Sequence, residues 1–245
     1  MLYVRYFVFA VFSIIIAILT IITKPFDLKG KISRGLLWIW CNGSLGLFGV
    51  KVNVSGEQNL DRGKGKVYVS NHSSYLDIFV ILAKVPDNIR MIYKKEINRI
   101  PLISWAMLAA DFVPINRKNV RFAMRSMDKA AKKMKKGISF VVFPEGTRSD
   151  DGSVKEFKRG IFILAEKSEA DIVPVSISNT FNLMPRGTLK VKPGNVKVVI
   201  GKPMGFRKER EFLEEVRKEV IKNTKYENLN TKQIHVSRLT FDVSR

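Results

Sequence analysis

The residues best suited to acid–base chemistry lie in the segment 71–77, which has the sequence Asn-His-Ser-Ser-Tyr-Leu-Asp. His72 follows a predicted strand, and Asp77 lies in the first turn of a predicted helix, where a carboxylate is electrostatically favoured. Histidine titrates near neutral pH, and the chain contains only His72 and His235. A turn between His72 and Asp77 would bring the carboxylate to one ring nitrogen and leave the other as a general base.

Two other interpretations fit the same segment. In the first, Ser73 or Ser74 caps the helix and His72 is an ordinary polar residue of a loop. In the second, one of these serines is a nucleophile activated by His72, although neighbours in a tight turn seldom reach an adjacent imidazole in the required geometry. The spacing alone leaves all three interpretations open.

A second polar segment, Phe143–Ser149, follows another predicted strand and has the sequence Phe-Pro-Glu-Gly-Thr-Arg-Ser. Gly146 allows the backbone to approach a ligand closely. Arg148 carries a planar fork of donors that suits phosphate, and Thr147 adds a hydroxyl group. A plain β-turn with a polar rim explains this composition equally well.

Three shorter segments also end or contain predicted strands. Val113–Ile115 leads to Arg117, and Lys94 forms a charged patch after another strand; solvated charges explain both as readily as a binding site does. The run Ile172–Val175 predicts a strand, and its internal Pro174 indicates a sheet edge or a bulge. Packing alone is sufficient to explain this last run.

The order of apolar patterns predicts the fold class. Strand-like runs alternate with helix-like runs, which is typical of an α/β layered domain with a largely parallel central sheet flanked by helices; the strand order stays open. The polar tail after Thr224 is expected to be loose. The predicted strands are Lys51–Ser55, Lys66–Ser70, Arg90–Tyr93, Phe112–Ile115, Ser139–Phe143, Asp171–Ile177 and Asn195–Ile200; the predicted helices are Leu76–Lys84, Leu102–Ala110, Asn119–Lys136, Phe157–Glu169 and Glu209–Lys222.

The charge balance indicates an affinity for phosphate. The 245 residues include 43 Lys and Arg against 22 Asp and Glu, a formal net charge of +21. Such a surface attracts nucleic acid, anionic lipid or a phosphorylated substrate, and composition does not choose among them. The cations of the predicted helix Asn119–Lys136 are either solvated or rest on anionic lipid heads. The single cysteine, Cys41, excludes an intrachain disulfide and is predicted to be a buried core residue.

The first 50 residues predict a membrane-associating helical segment ahead of an α/β domain at residues 51–245. Tyr6–Thr23 is uncharged and long enough to span a hydrocarbon core, whereas the uncharged run Gly35–Val50 is short and rich in glycine. The linker between them is basic, which favours the cytoplasmic side. Either both runs span the membrane, or the second only dips into it, or the two form a half-immersed helical pair.

Taken together, these segments resemble the glycerolipid acyltransferase family, specifically the 1-acyl-glycerol-3-phosphate acyltransferases. His72 and Asp77 match its His-x4-Asp motif, and Phe143–Ser149 matches its Phe-Pro-Glu-Gly-Thr-Arg-Ser block letter for letter. Val113–Arg117 is similar to the segment whose arginine contacts the acceptor phosphate, and Ile172–Val175 is similar to the last block. The four blocks occur in the family's order along the chain.

The resemblance implies an activity. A fatty acyl group would pass from a thioester, either acyl-coenzyme A or acyl-acyl carrier protein, to the sn-2 hydroxyl of lysophosphatidic acid, giving phosphatidic acid. His72 would take the hydroxyl proton, Asp77 would orient His72, and backbone amides near Gly146 would stabilise the oxyanion. No metal and no bound cofactor are expected.

The resemblance also implies a site, partners and a location. The acceptor phosphate would be bound by Arg117, Arg148 and Lys94, and the acceptor pocket would include Asn71, Glu145, Gly146 and Thr147. Anionic membrane lipids are expected partners, and nucleic acid is not. The expected location is the cytoplasmic face of the inner membrane, with the N-terminal segment as the anchor.

The sequence departs from the family pattern at two places. Many members have a glycine where this chain has Asp111, followed by Phe-Ile-Asp-Arg where this chain has Pro-Ile-Asn-Arg, and Ile97 replaces the leucine of a Lys-x-Glu-Leu element. The acceptor headgroup is therefore open, with glycerol 3-phosphate or another lysolipid as alternatives. A non-catalytic anionic-lipid- or nucleic-acid-binding protein is a further alternative, and it predicts salt-dependent binding and tolerance of Asp77→Ala.

Overall fold

The computed structural model describes residues 2–28, 30–61, 63 and 65–224. The predicted looseness of the tail and any role of His235 concern residues outside these ranges. The described helices are α1 Leu2–Thr23, α2 Lys31–Leu47, α3 Leu76–Lys84, α4 Pro101–Ala109, α5 Val120–Met134, α6 Phe162–Ser168, α7 Thr180–Leu183 and α8 at 210–224. The described strands are β1 Val50–Ser55, β2 Val67–Ser70, β3 Ile89–Lys94, β4 Val113–Ile115, β5 Ser139–Val142, β6 Ile172–Ser178 and β7 Gly194–Ile200.

The seven described strands form one sheet in the order β1-β7-β6-β2-β5-β3-β4. Five neighbouring strands, from β6 to β4, run parallel, while β7 is antiparallel to β6 and parallel to β1. The predicted α/β fold with a largely parallel sheet is confirmed. Because the parallel strands end at one edge, the loops that follow them meet there.

Helices cover both faces of the sheet. One buried cluster joins α2 and α3 to the sheet through residues such as Leu45 and Val80, and the other joins α5, α6 and α8 through residues such as Met127 and Phe212. The central strands are buried on both faces, which explains why β2, β5 and β6 are nearly continuous apolar runs. Cys41 is fully buried in the first cluster, as predicted.

The second N-terminal run is more helical than its composition suggests. Asn42, Gly43, Ser44 and Gly46 all lie within α2, although glycine is a poor helix former. The reason is tertiary packing against α1, because a Cβ added at Gly43 would lie 2.8 Å from a ring carbon of Phe12. A glycine at this position therefore lets the two helices approach closely.

The α/β domain holds α1 at both ends. Near its start, the Tyr6 hydroxyl donates to the Leu189 carbonyl at 2.7 Å and accepts from the Val191 amide at 3.2 Å. Just after its end, the Lys24 ammonium contacts the Asp111 carboxylate at 2.9 Å. A helix of 22 residues is about 33 Å long, so α1 lies along the domain instead of projecting away from it.

Asp111 occupies the position where the resembling family often has glycine. Its φ of +66° explains that glycine, and aspartate tolerates this left-handed conformation better than most residues. Its carboxylate also contacts Lys133 and Lys24. Burial opposes ionisation of Asp111, but the hydrogen bonds from Lys133 and Lys24 outweigh burial and lower its pKa. The same residue therefore shapes the turn and fastens the linker.

The buried Arg90 side chain fixes the other side of this linker. Its guanidinium donates to the carbonyls of Ala110 and Gly30 and to the Ser33 hydroxyl. Asp27 accepts from the first amides of α2, at Ile32 and Ser33, and so caps that helix. The linker between α1 and α2 is therefore part of the folded domain.

Among the described residues, one helical stretch, Leu2–Phe26, is long and apolar enough to cross a membrane. Only 11% of its most apolar 18-residue window is buried within the protein. The exposed residues form one apolar face that runs along α1, and it includes Phe7, Val11, Ile18 and Ile22. Length and composition show that α1 could anchor the protein to a membrane.

Two sequence predictions need correction in detail. The helix predicted at Phe157–Glu169 begins only at Phe162, after a short 3-10 turn. Tertiary hydrogen bonds hold the preceding segment extended, including one from the Lys158 amide to the Pro144 carbonyl. Pro174 lies in a central strand rather than an edge strand, but it does lie at a bulge.

The bulge follows from the register of β6 against the chain after β7. Ile172 pairs with Met204 and Val175 pairs with Ile200, so four steps along one strand oppose three along the other. Pro174 falls inside this irregular stretch, where its missing N–H leaves no ladder bond unmade.

Candidate active site

The site lies at the edge of the sheet where the five parallel strands end. His72 follows β2, the segment Phe143–Ser149 follows β5, and Thr180 follows β6 on the other side of β2. Lys94 ends β3, and Arg117 follows β4 two residues after Ile115. Residues from five separate stretches of the chain therefore meet at one edge.

His72 and Asp77 form a hydrogen-bonded pair. The Nδ1 atom of His72 lies 2.8 Å from Oδ2 of Asp77, whose side chain is completely buried. The same oxygen accepts from the amides of Ser73 and Ser74, each at 2.8 Å. Because the carboxylate only accepts, Nδ1 carries the proton in this contact and Nε2 is left as the basic nitrogen.

Thr180 completes the environment of Asp77, and the sequence analysis did not select it. Its hydroxyl donates to Oδ1 of Asp77 at 2.5 Å and lies 3.0 Å from the Ser73 hydroxyl. Thr180 is completely buried. The one available signal was its position directly after the Ile172–Ser178 strand, at the same sheet edge as His72. Both carboxylate oxygens are therefore fixed from two different strands.

Replacing Thr180 by valine is expected to lower kcat roughly tenfold, because a charge-assisted hydrogen bond to Asp77 is lost from a site of unchanged shape. KM for the acceptor should change little, since Thr180 is not among the residues assigned to substrate binding. Initial rates at varied acceptor concentration separate these constants. Thr180→Ser, which keeps the hydroxyl, should recover most of kcat; a valine variant with the parent kcat would rule out this role.

The two serines of the segment serve structure. The Ser74 hydroxyl accepts from the Leu76 amide and donates to the Met184 carbonyl, and it is completely buried. The Ser73 hydroxyl lies against Thr180 rather than against the imidazole. Neither hydroxyl contacts His72, so the geometry opposes the interpretation of a serine nucleophile.

Glu145 and Asn71, predicted as pocket residues, hold the backbone around His72. The Glu145 carboxylate accepts from the His72 amide at 2.7 Å and from the Lys155 amide at 3.1 Å. Burial raises the pKa of Glu145 above its ordinary value. Asn71 exchanges two hydrogen bonds with the backbone of Ile177. The described contacts of both side chains lie inside the protein, where they position the histidine loop.

The imidazole is also held from one face. The Phe143 ring stacks on it with a centroid distance of 4.1 Å and an angle of 19°. The His72 side chain is 14% exposed, and its Nε2 forms no hydrogen bond within the described residues. The ring is therefore fixed in orientation while its basic nitrogen remains available to a substrate.

The loop after β5 offers two unused backbone donors. Gly146 has a φ of +76°, and its amide donates to the Phe143 carbonyl to close a turn. The next two amides, of Thr147 and Arg148, donate to no group in the described part of the chain. A pair of adjacent free amides is the arrangement that stabilises an oxyanion.

The predicted phosphate-binding cations surround this loop. The Arg148 guanidinium lies over the Tyr75 ring, 3.6 Å from its centroid, and its Nη1 is a buried donor without a partner among the described residues. Arg117 donates to the Gly146 carbonyl at 2.7 Å. Lys94 is largely exposed and lies 3.7 Å from Glu96. The two arginines lie at the loop itself, and Lys94 lies on the strand beside Arg117.

Lys158 is a further cation at this loop that sequence reasoning missed. A Cβ added at Gly146 would lie 3.3 Å from the Lys158 ammonium nitrogen, so this side chain covers the glycine. The sequence signal was the Phe-Lys-Arg-Gly run at 157–160, which was assigned to a helix. Its observed extended backbone is what directs Lys158 toward the loop.

Comparisons with known proteins agree with this geometry. A family model described as Acyltransferase matches residues 51–178, slightly more than half of the chain. The crystal structure of a 1-acyl-sn-glycerophosphate acyltransferase from Thermotoga maritima superposes with a TM-score of 0.76 and 27% sequence identity, covering 91% of this chain and 93% of that one.

Curated relatives carry related names. A chloroplastic 1-acyl-sn-glycerol-3-phosphate acyltransferase of Arabidopsis thaliana is 37% identical over 76% of this chain and 54% of its own length. A 1-acyl-sn-glycerol-3-phosphate acyltransferase of Borreliella burgdorferi is 31% identical over 57% of this chain and 56% of its own length. The aligned part of the chain thus spans about half the length of these curated relatives.

Proposed function

The chain belongs to the Acyltransferase family, and from this premise we propose that it transfers a fatty acyl group from an acyl thioester to the sn-2 hydroxyl of 1-acyl-glycerol 3-phosphate, giving phosphatidic acid. The observation that carries the proposal is the buried His72–Asp77 pair beside a loop with two free amides and two arginines. These are the parts that acyl transfer to a phosphorylated alcohol requires.

The proposed reaction is a direct transfer. Nε2 of His72 takes the proton of the acceptor hydroxyl as that oxygen attacks the thioester carbonyl, and Asp77 stabilises the imidazolium that forms. The amides of Thr147 and Arg148 hold the oxyanion, an effect typically worth about 3 kcal/mol per donor. Collapse of the intermediate expels the thiolate, which takes up the proton from His72. The step uses groups of this chain and the two substrates, without a metal or cofactor.

The acceptor phosphate is assigned to the cations around Gly146. Arg148 has an unpartnered buried donor, and Arg117 and Lys158 lie against the same glycine. Neither Arg117, Arg148 nor Lys158 forms an ion pair with a carboxylate in the described ranges, so their charge is available to a dianion. Lys94 stands at the outer side of this group, where it is expected to meet the phosphate as it enters.

The acyl chain of the acceptor is assigned to an apolar cavity between the N-terminal helices and the domain. Its volume is about 140 Å³, and its lining is almost wholly apolar. Tyr75, whose ring lies under Arg148, lines one side, and Leu45 and Phe48 line another. A chain in this cavity would therefore lead directly to a phosphate on Arg148.

Filling this cavity is expected to shift the preference toward shorter acyl chains. Ser44 lines the cavity, and its hydroxyl bonds only the Trp40 carbonyl of its own helix, so Ser44→Leu adds volume without breaking a long-range contact. Each methylene that loses its place should cost about 0.8 kcal/mol, or roughly fourfold in kcat/KM. A series of acceptors with different chain lengths measures this slope; an unchanged slope would place the chain elsewhere.

The proposed location is the cytoplasmic face of the inner membrane. Because α1 is fastened to the domain through Tyr6 and Lys24, it would lie in one leaflet together with α2 as a half-immersed pair. This arrangement places the sheet edge with His72 at the lipid surface. The donor is proposed to be acyl-coenzyme A or acyl-acyl carrier protein, and anionic lipids are proposed partners.

The deciding experiment is acyl transfer by the full-length chain with both donors and two acceptors, lysophosphatidic acid and glycerol 3-phosphate. Product from lysophosphatidic acid alone supports the proposal. Product only from glycerol 3-phosphate would keep the chemistry and replace the acceptor. Absence of product from either acceptor, with a folded protein, would contradict the assignment of the phosphate site.

A further inference from the structure

Helix α4 has an unusual composition for a helix on the surface of a protein. Its nine residues, Pro101–Ala109, carry no charge, yet Ile103, Trp105 and Leu108 are 46%, 59% and 45% exposed, and the preceding Ile100 is 51% exposed. A helix that is apolar on all sides is normally buried in a core or in lipid. Within the described residues, no element covers this face of α4.

The start of α5 continues the same surface. Val120 and Phe122 are 78% and 47% exposed. Lys95, at the beginning of the segment that leads into α4, lies 5.6 Å from the centroid of the Phe122 ring and connects the two helices. We call these six exposed apolar residues the α4–α5 patch: Ile100, Ile103, Trp105, Leu108, Val120 and Phe122.

The patch is continuous with the apolar face of α1. Helix α4 packs directly against α1, on which Phe7, Val11 and Ile18 are exposed. The two exposed apolar faces therefore adjoin, and together they form a surface much larger than the scattered apolar residues usual on soluble proteins.

Cations surround the patch with almost no acids between them. Exposed cations in the segments 95–99 and 118–125 are Lys95, Arg99, Lys118, Arg121 and Arg125, and none of them forms an ion pair in the described parts of the chain. Glu96 is the exposed acid nearest to them in sequence, and it contacts Lys94. An apolar centre with a basic rim matches the boundary between acyl chains and anionic headgroups.

We propose that the α4–α5 patch is a second membrane-contacting surface, which inserts into the same leaflet as α1 and binds anionic phospholipid headgroups through its rim. The inference rests on the proposed seating of α1 in the membrane. An acidic carrier protein would also be attracted by the rim, but its charged surface would leave Trp105, Ile103 and Leu108 without apolar partners. The lipid surface satisfies both the apolar centre and the charges.

The arrangement has a consequence for substrate entry. Lys94 and Arg117, the cations assigned to the acceptor phosphate, lie at the ends of β3 and β4, next to the rim residues Lys95 and Lys118. A phosphorylated lipid held at the rim can therefore move along the leaflet to the site, and its acyl chain does not have to leave the hydrocarbon.

The test uses the full chain with an environment-sensitive fluorophore attached at Trp105→Cys. The native Cys41 is completely buried, so the new thiol is labelled selectively. Lys218→Cys, on the exposed side of α8, is the matched control. Vesicles of phosphatidylcholine with phosphatidylglycerol should increase and blue-shift the emission at position 105, and lipids brominated in the acyl chain should quench it. Position 218 should show neither change.

Charge reversal provides a second measurement. Arg121→Glu with Arg125→Glu should reduce affinity for the same vesicles at least about tenfold, and Lys218→Glu should leave it nearly unchanged. Emission at position 105 that stays aqueous would overturn the inference, whether or not the protein sediments with the vesicles. So would a response to acyl carrier protein without vesicles.

The same labelled protein is assayed for acyl transfer in detergent, which keeps the two proposals distinguishable. Insertion of position 105 without transfer to any acceptor would contradict the proposed function and leave the membrane surface standing. Transfer with position 105 in water would do the reverse.

Discussion

Replacing His72 by alanine is expected to reduce acyl transfer by roughly 10²–10⁴-fold, because no other group in the described part of the site can accept the hydroxyl proton at neutral pH. The variant should still fold. The bonds that hold this loop use the His72 amide and carbonyl, which contact Glu145 and Ser149 and remain in alanine. The largest lost contact is the stacking on Phe143.

The measurement is the rate of product formation with saturating lysophosphatidic acid and acyl donor. Binding of the variant to vesicles should equal that of the parent protein, since α1 and the α4–α5 patch are untouched. Thermal unfolding of both proteins serves as the control for folding. Transfer at the parental rate by the alanine variant would contradict the proposed mechanism outright.

Replacing Asp77 by asparagine is expected to lower kcat by a similar or larger factor, roughly 10⁴-fold, the cost of removing the carboxylate from a comparable triad. The amide oxygen of asparagine can still accept from Ser73, Ser74 and His72. Its NH2 group would face Thr180, whose hydroxyl can rotate to accept. The geometry is therefore retained, and what is lost is the negative charge that stabilises the imidazolium.

The asparagine variant separates charge from structure better than alanine does. Asp77→Ala would leave the donors of Ser73, Ser74 and Thr180 unpaired in a buried site, which costs about 1–3 kcal/mol for each unpaired donor and makes unfolding a competing explanation. KM for the acceptor should be nearly unchanged in the asparagine variant, because the phosphate cations are not affected. Activity within tenfold of the parent would show that Asp77 only shapes the turn.

Much of the architecture could be predicted from the sequence because it depends on local periodicity. The helix at Leu76–Lys84 was predicted with its observed limits, and the strands were placed within one or two residues. Runs that are apolar on both faces, as in β5 and β6, indicated a parallel sheet covered on both sides. Parallel strands in turn required that His72, Phe143–Ser149 and Arg117 meet at one edge.

The remainder depended on contacts between distant parts of the chain. The failed helix prediction at Phe157 and the unexpected helix at Gly43 have the same cause. Local propensity differs by about 1 kcal/mol or less per residue, and a tertiary hydrogen bond or a close helix contact is enough to override it. Glu145 to Lys155 decided the first case, and Gly43 against Phe12 decided the second.

By itself the sequence determined the fold class, the edge of the sheet that carries the chemistry, and the pairing of His72 with Asp77, because turn geometry and strand direction are local properties. Only the tertiary structure decided that Thr180 holds Asp77, that Glu145 and Asn71 hold the histidine loop, and that α1 lies along the domain. These contacts join residues separated by about 70 to 185 positions. No short-range pattern records such pairs, because each depends on how the strands are ordered in the sheet.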